Sequence, residues 1–442
     1  MTPPYPQRRN SYPLRRITSH HTPHSKGTAT MFLAACLLAG LIAMTAPKTE
    51  APYLRAELIA KPESLHNHGS CIVETPKGNL LVCWYRGSGE RTADDVAVVG
   101  ARLQKGRKNW SPMFVMHDTP GYPDTNPCMI VDPQSRLWLF WGTVLDNHWE
   151  TALTKYKISA KFEQSDSAPV WEQEKILHLK PGEEFQRIVE RDLDKQWLPY
   201  APSIKPDQKE KFETALKNLH EWAKVKLYTR LGWMTRAHPT FLASGRMIVP
   251  LYSDRFDFSL MAITDDGGAT WRVSEPLVGA GNVQPSIAIR KDGTLLAYFR
   301  DNGMAPQRVQ VSESKDEGMT WTLAKDTEMF NPGAGLEVLV LKSGRWVLIN
   351  NDTEDGRHRL ALHVSEDEGK TWRTARYLEK DDAKQGGGSY SYPSIIQTRN
   401  GRIHATYSYT PNTQNALKEG KGETIKHAEF NETWLLEGRG NL

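Results

Sequence analysis

Cysteine is scarce, at four in 442 residues. Cys36 falls in an N-terminal leader, and Cys71, Cys83 and Cys128 in the body read as buried free thiols. If the first hairpin turns at Lys77-Gly78, Cys71 faces Trp84 and Cys83 faces Ile72, which sets the two thiols on opposite faces of the sheet. Cys71 and Cys128 hold equivalent places in adjacent repeats. A basic surplus is also missing. Residues 1–46 carry Arg8, Arg9, Arg15, Arg16 and Lys26 and no acid, so the rest of the chain holds 56 less 5, or 51, basic against 52 acidic residues. That near-neutral body excludes a nucleic-acid-binding surface built on net charge. Long apolar runs are absent except Ala29 to Ala46, which at 18 residues is short of the roughly 20 a membrane span needs. With its basic, Pro/His/Ser-rich approach it reads as an export signal, an uncleaved membrane anchor being the other reading. Leu33-Ala34-Ala35-Cys36 has the outline of a lipoprotein box, but the apolar run continues past Cys36; Met31 is an alternative start.

What the body does have is repetition. Thr264-Asp265-Asp266-Gly267-Gly268-Ala269-Thr270-Trp271 returns as Ser314-Lys315-Asp316-Glu317-Gly318-Met319-Thr320-Trp321 and as Ser365-Glu366-Asp367-Glu368-Gly369-Lys370-Thr371-Trp372. The aspartates at 266, 316 and 367 are 50 and 51 residues apart, a repeat-architecture period. A short hydroxyl and a carboxylate can bond the backbone N–H groups of a tight turn, and glycine supplies a positive φ. The closing Trp should staple each turn onto a neighbouring unit. The octet is a hairpin lock, not a catalytic site.

A second phrase, a polar residue leading two hydrophobic strands through a Gly or polar turn, occurs six times. Its copies begin at His68, Asn126, His238, Gln284, Gly335 and Tyr392. Six such hairpins with paired outer strands predict an all-β, six-bladed β-propeller over residues 52–430, with 431–442 as a tail. Between the second and third repeats, about 180–232, lies a charged helical insertion. Residues 183–195 and 206–228 have helical spacing, with Phe212, Leu216, Leu219, Ala223 and Leu227 on one stripe. The insertion is either a decoration on a blade edge or a rim over the channel mouth.

The octet resembles the Asp box of the sialidase (neuraminidase) family, and the likeness runs from about Pro52 to Phe430, strongest from His238 onward. It implies a tyrosine nucleophile opening the last repeat, nine residues ahead of its turn glycine, where Tyr392 precedes Gly401; Tyr390 is the rival. It also implies arginines that grip a substrate carboxylate. Arg300, ending Leu295 to Arg300, and Arg357, in Arg357-His358-Arg359-Leu360, stand ahead of Asp boxes as that cluster would. A guanidinium fork suits a carboxylate because it binds both oxygens. A glutamate should activate the tyrosine, but the chain has Gln284 where the family often has one; Glu337 in the next repeat is either that base or a buried structural carboxylate. The acid should come from the loop after the first repeat, where Asp94 and Asp95 are preferred to Glu90.

The chain departs from the family where sialidases open with Arg-Ile-Pro: it has Asn67-His68-Gly69, leaving Arg236 or Arg86 to supply a third arginine. His66 and His68 are expected to hydrogen-bond at the channel mouth, with His238 and Gln284 beside them, and no metal or cofactor is expected. The resemblance implies an exported, retaining exo-glycoside hydrolase for a glycan ending in an acidic sugar, reaching a membrane only through a possible anchor. The alternatives are a uronic acid or deoxysugar substrate, or a non-catalytic carbohydrate- or protein-binding propeller.

Overall fold

A computed structural model describes residues 50–164 and 166–437; the expected export or anchor segment lies outside them, as do the last five residues of the expected tail. Six four-stranded antiparallel sheets make the blades. The innermost strands are His66–Glu74, Asp124–Val131, Thr240–Phe241, Asn282–Ile289, Glu337–Val340 and Ser389–Gln397. The second and third strands of the blades are almost wholly buried, as in Met247–Ser253 and Phe258–Thr264, because each blade packs between two others. The ring closes through Leu54–Leu58, which pairs with Thr424–Phe430 as the outer strand of the last blade. Residues after Phe430 form a short helix, Glu432–Leu436, capped by Asn431 and seated through Leu435 and Trp434.

One turn joins the first two strands of all six blades. In the first blade Thr75 N–H donates to Asn79 O and Gly78 N–H to Thr75 O, leaving three residues in the loop. The pattern repeats at Asp132/Arg136, Leu242/Arg246, Arg290/Thr294, Leu341/Arg345 and Thr398/Arg402, with a left-handed residue, Ser135 or a glycine, fourth in each. This turn corrects the cysteine register. Three loop residues pair Cys71 directly with Cys83, on one face, where a two-residue turn would have opposed Cys71 to Trp84. Both are free thiols.

The three repeated octets are one structure. In the middle copy Ser314 Oγ donates to Asp316 Oδ1 (2.8 Å), Gly318 N–H to Ser314 Oγ (3.0 Å), and Thr320 N–H and Oγ1 to the two Asp316 oxygens (2.9 and 2.6 Å). The other two copies match these bonds within 0.1 Å. Each tryptophan reaches the preceding blade: Trp271 lies among Trp138, Phe140 and Tyr156, and Trp372 stands edge-on to Tyr298 at 5.6 Å.

The insertion forms helices Glu184–Trp197, Lys209–Ala223 and Lys226–Arg230. Phe185 packs on Trp233, Phe256 and Phe258, tying the first helix to the third blade. The apolar stripe stops at Ala223; Leu227 is 61% exposed because the helix breaks before it. Among the described residues, no helix is long and apolar enough to cross a membrane.

Candidate active site

The shared turn sets the register of everything at the channel mouth. Nine residues ahead of its left-handed residue stand Gly69, Asn126, Arg236, Gln284, Gly335 and Tyr392. Asn126, Gln284 and Tyr392 each precede a proline and have φ of 50°, 56° and 53°. Each is the extra residue of a bulge in its inner strand. A left-handed non-glycine residue costs about 1 kcal/mol or more, and the return here is direction: the bulge re-aims the side chain to the axis. On the second strands or one residue past their ends, the residues seven and nine after the turn share one face: Tyr252 and Asp254, Arg300 and Asn302, Ser408 and Thr410.

These positions line a cavity of ≈ 370 Å³ whose walls are mainly polar. The Tyr392 hydroxyl oxygen accepts from Arg300 Nη1 at 2.9 Å and from Gln284 Nε2 at 3.0 Å. The guanidinium carbons of Arg236 and Arg357 lie 5.1 and 5.6 Å from the Tyr392 ring, and the His68 ring is 4.2 Å from it. Burial, with His66, Arg357, Arg236 and Arg300 nearby, holds His68 well below the usual histidine range, so it is neutral. Arg300 also donates Nη2 to Asn302 (3.1 Å), whereas Arg357 makes one long bond, to the Gly333 carbonyl (3.4 Å). Arg357 is therefore the freer fork.

Three carboxyl groups line the same cavity. Glu90 accepts from Tyr85 Oη at 2.8 Å, and Glu423 pairs with His66 Nδ1 at 2.8 Å. Among the described residues Asp254 has no hydrogen-bond partner, and burial together with Asp257 pushes it up to about 7.

Of the residues expected from the sequence, Tyr392, Arg300, Arg357, Gln284, His68 and Asn67 come together around this cavity. Asn67 is occupied there by Trp84 Nε1, Glu63 and Leu65. Asp94 and Asp95 stand away from it: Asp94 accepts from Asn147 and Asp95 caps Ser88 N and Oγ, while their loop mate Glu90 reaches in. Arg86 gives its whole fork to Glu63, at 2.7 and 2.7 Å. Glu337 and His238 line a separate cavity; Glu337 accepts from His238 N, His238 Nδ1 (2.8 Å) and Ile395 N. That pair is internal to the inner strands and does not touch the Tyr392 hydroxyl. Among the described residues, none of the insertion lines the Tyr392 cavity, so the helices are a decoration with respect to it. Asp254 and Tyr252 were not picked out from sequence, although counting nine and seven residues from Gly245, as for Asn302 and Arg300 from Gly293, reaches both.

The sequence matches the family described as BNR repeat-like domain over residues 78–198 and 224–405. The chain belongs to that family. None of the curated proteins matches this BNR repeat-like chain. Among solved structures it is similar to a protein of unknown function from Dyadobacter fermentans, at TM-score 0.60 and 14% identity over 86% of this chain and 99% of that one. It is also similar to the NanB sialidase from Streptococcus pneumoniae (TM-score 0.59, 11% identity, 85% and 70% covered). The intramolecular trans-sialidase from Ruminococcus gnavus is a third such structure (0.58, 14%, 86% and 97%). At these identities the likeness is one of fold.

Proposed function

We propose that this propeller is a sialidase-like exo-glycoside hydrolase that removes a terminal acidic sugar with retention. The observation that carries the reading is the meeting, in one polar cavity, of the Tyr392 hydroxyl with Arg300, Arg357 and the carboxyls of Asp254, Glu90 and Glu423. Arg357 binds the substrate's carboxylate, and Arg300 holds Tyr392 and shares the negative charge. The phenolic oxygen forms a bond to the anomeric carbon while the bond to the leaving oxygen breaks; that oxygen keeps the electron pair and takes a proton from an acid in the cavity. Water then attacks the anomeric carbon from the face the leaving oxygen vacated, opposite the tyrosine, and displaces it, so that two inversions give retention. The phenolic proton goes to water in the cavity, since Gln284, an amide, can bond the hydroxyl but cannot take its proton. Export directed by residues 1–46 fits an enzyme that meets glycans outside the cytoplasm.

Gln284 in place of a glutamate favours one second reading, a propeller that binds glycans without cleaving them. Hydrolysis of fluorogenic sialosides, uronides and rhamnosides by the purified chain separates the two. Turnover of an acidic glycoside that falls at least about 10²-fold in Tyr392→Phe is the expected result. Glycan binding without turnover would overturn the hydrolase reading.

A further inference from the structure

We propose that Asp254, contributed by the third blade, is the acid that protonates the leaving oxygen. The assignment rests on the glycosidase reading above. Asp254 lines the cavity that holds Tyr392, and of the three carboxyls there it alone has no hydrogen-bond donor among the described residues. Glu90 is bonded to Tyr85 and lies 3.9 Å from His66; Glu423 is paired with His66. An acid whose proton must reach a substrate oxygen needs that unengaged face.

The loop around Asp254 is held from both sides. Arg255 stacks on Tyr228 (4.0 Å) and Trp222 (5.4 Å) of the insertion, and Phe256 packs on Trp233 and Phe185. On the other side Asp257, left-handed at φ 51°, accepts from Asn302 Nδ2 at 2.7 Å, and its carbonyl accepts from Gly281 N. Thus the insertion, though outside the cavity, fixes the segment that enters it. The charged groups facing Asp254 are Asp257 on its own loop, Arg300 from the fourth blade, Glu90 from the first and Glu150 from the second, with the Tyr252 phenol beside it. Burial and three of these four are unfavourable to its anion and Arg300 alone favours it, so the carboxyl keeps its proton up to about pH 7. In the step, the proton passes from the Asp254 carboxyl to the glycosidic oxygen as that oxygen leaves with its bonding pair, and Asp254 becomes a carboxylate. It then accepts a proton from the water that releases the sugar.

The test compares 4-nitrophenyl and ethyl α-sialosides with the full chain, Asp254→Asn and Glu90→Gln. A nitrophenolate departs without a proton and ethoxide does not. Asp254→Asn should lose roughly 10²-fold or more on the ethyl sialoside and under about tenfold on the nitrophenyl one. The retained activity also shows the variant folded. The wild-type profile of kcat/KM should fall above about pH 7, and this limb should be absent from Asp254→Asn. Equal losses on both substrates, an unchanged basic limb, or the leaving-group split appearing in Glu90→Gln instead would overturn the assignment alone. Silence of the wild-type chain on both sialosides and on the matching uronides would overturn the glycosidase reading itself, and the assignment with it.

Discussion

In the proposed reaction Gln284 sets how fast the tyrosine works. Its amide donates to the Tyr392 hydroxyl at 3.0 Å, beside the Arg300 bond at 2.9 Å, so the oxygen is held by two donors and has no proton acceptor among its protein partners. General-base assistance is worth roughly 10²–10⁴-fold. Gln284→Glu should therefore raise kcat on the best glycoside by at least about tenfold, measured at saturating substrate. A fall in kcat would mean that the amide's hydrogen bond, and not an acceptor, is what the tyrosine requires. The turn register explains which expected residues reach the cavity: Tyr392 and Gln284 stand nine residues ahead of a turn glycine and Arg300 seven after one, though only Tyr392 was picked by that spacing. No such register runs through the 87–95 loop. Which of Glu90, Asp94 and Asp95 turns inward depends on contacts with Tyr85, Asn147 and Ser88, and only folding brings Asn147 to that loop.

At the scale of the element, the Asp box illustrates a motif whose chemistry is entirely local. Bonds from Thr270 and Thr371 hold Asp266 and Asp367 down to about 2. Because these folded-state values lie below the ordinary carboxylate value, the stabilisation is present above about pH 4 and is lost as pH falls toward 2. Asp316→Ala removes four bonds from one lock and should lower stability by about 1–3 kcal/mol in a urea titration. Asp265→Ala, which breaks only exposed pairs with Arg246 and Arg272, should cost under about 1 kcal/mol. Equal effects would contradict the lock. Glycine is needed in the third copy for a reason of space as well as φ: a Cβ on Gly369 would stand 2.3 Å from Tyr298 Oη and 2.9 Å from Trp346. The helices of the insertion were visible as a 3.6-residue period, yet their place was not, since a stripe reports that a face is covered and not by what.

The six blades form a ring, and the ring is what makes a site from distant residues. Tyr392 and Gln284 are 108 positions apart in sequence and share a hydrogen bond because both occupy the bulge of an inner strand facing the axis. The 50-residue period and six hairpins made the blade number legible, and the antiparallel pairing of Leu54–Leu58 with Thr424–Phe430 closes it. What the period could not supply is which blades' loops meet over the channel, and so Asp254 went unnoticed while Glu337, one repeat along the same inner ring, drew attention for chemistry. Glu337 belongs to a buried pair with His238, each partner favouring the other's charged form against the cost of burial. The central claim, that Tyr392 is a nucleophile in a glycosidase cavity, is tested most directly by trapping its sugar. Incubation with a fluorinated sialosyl fluoride, in which the added fluorine slows release of the sugar, followed by intact mass and peptide mapping, should show one sugar on the peptide containing Tyr392 and none in Tyr392→Phe. A sugar carried by a different residue, or a wild-type chain that turns the fluoride over without forming any adduct, would contradict the account.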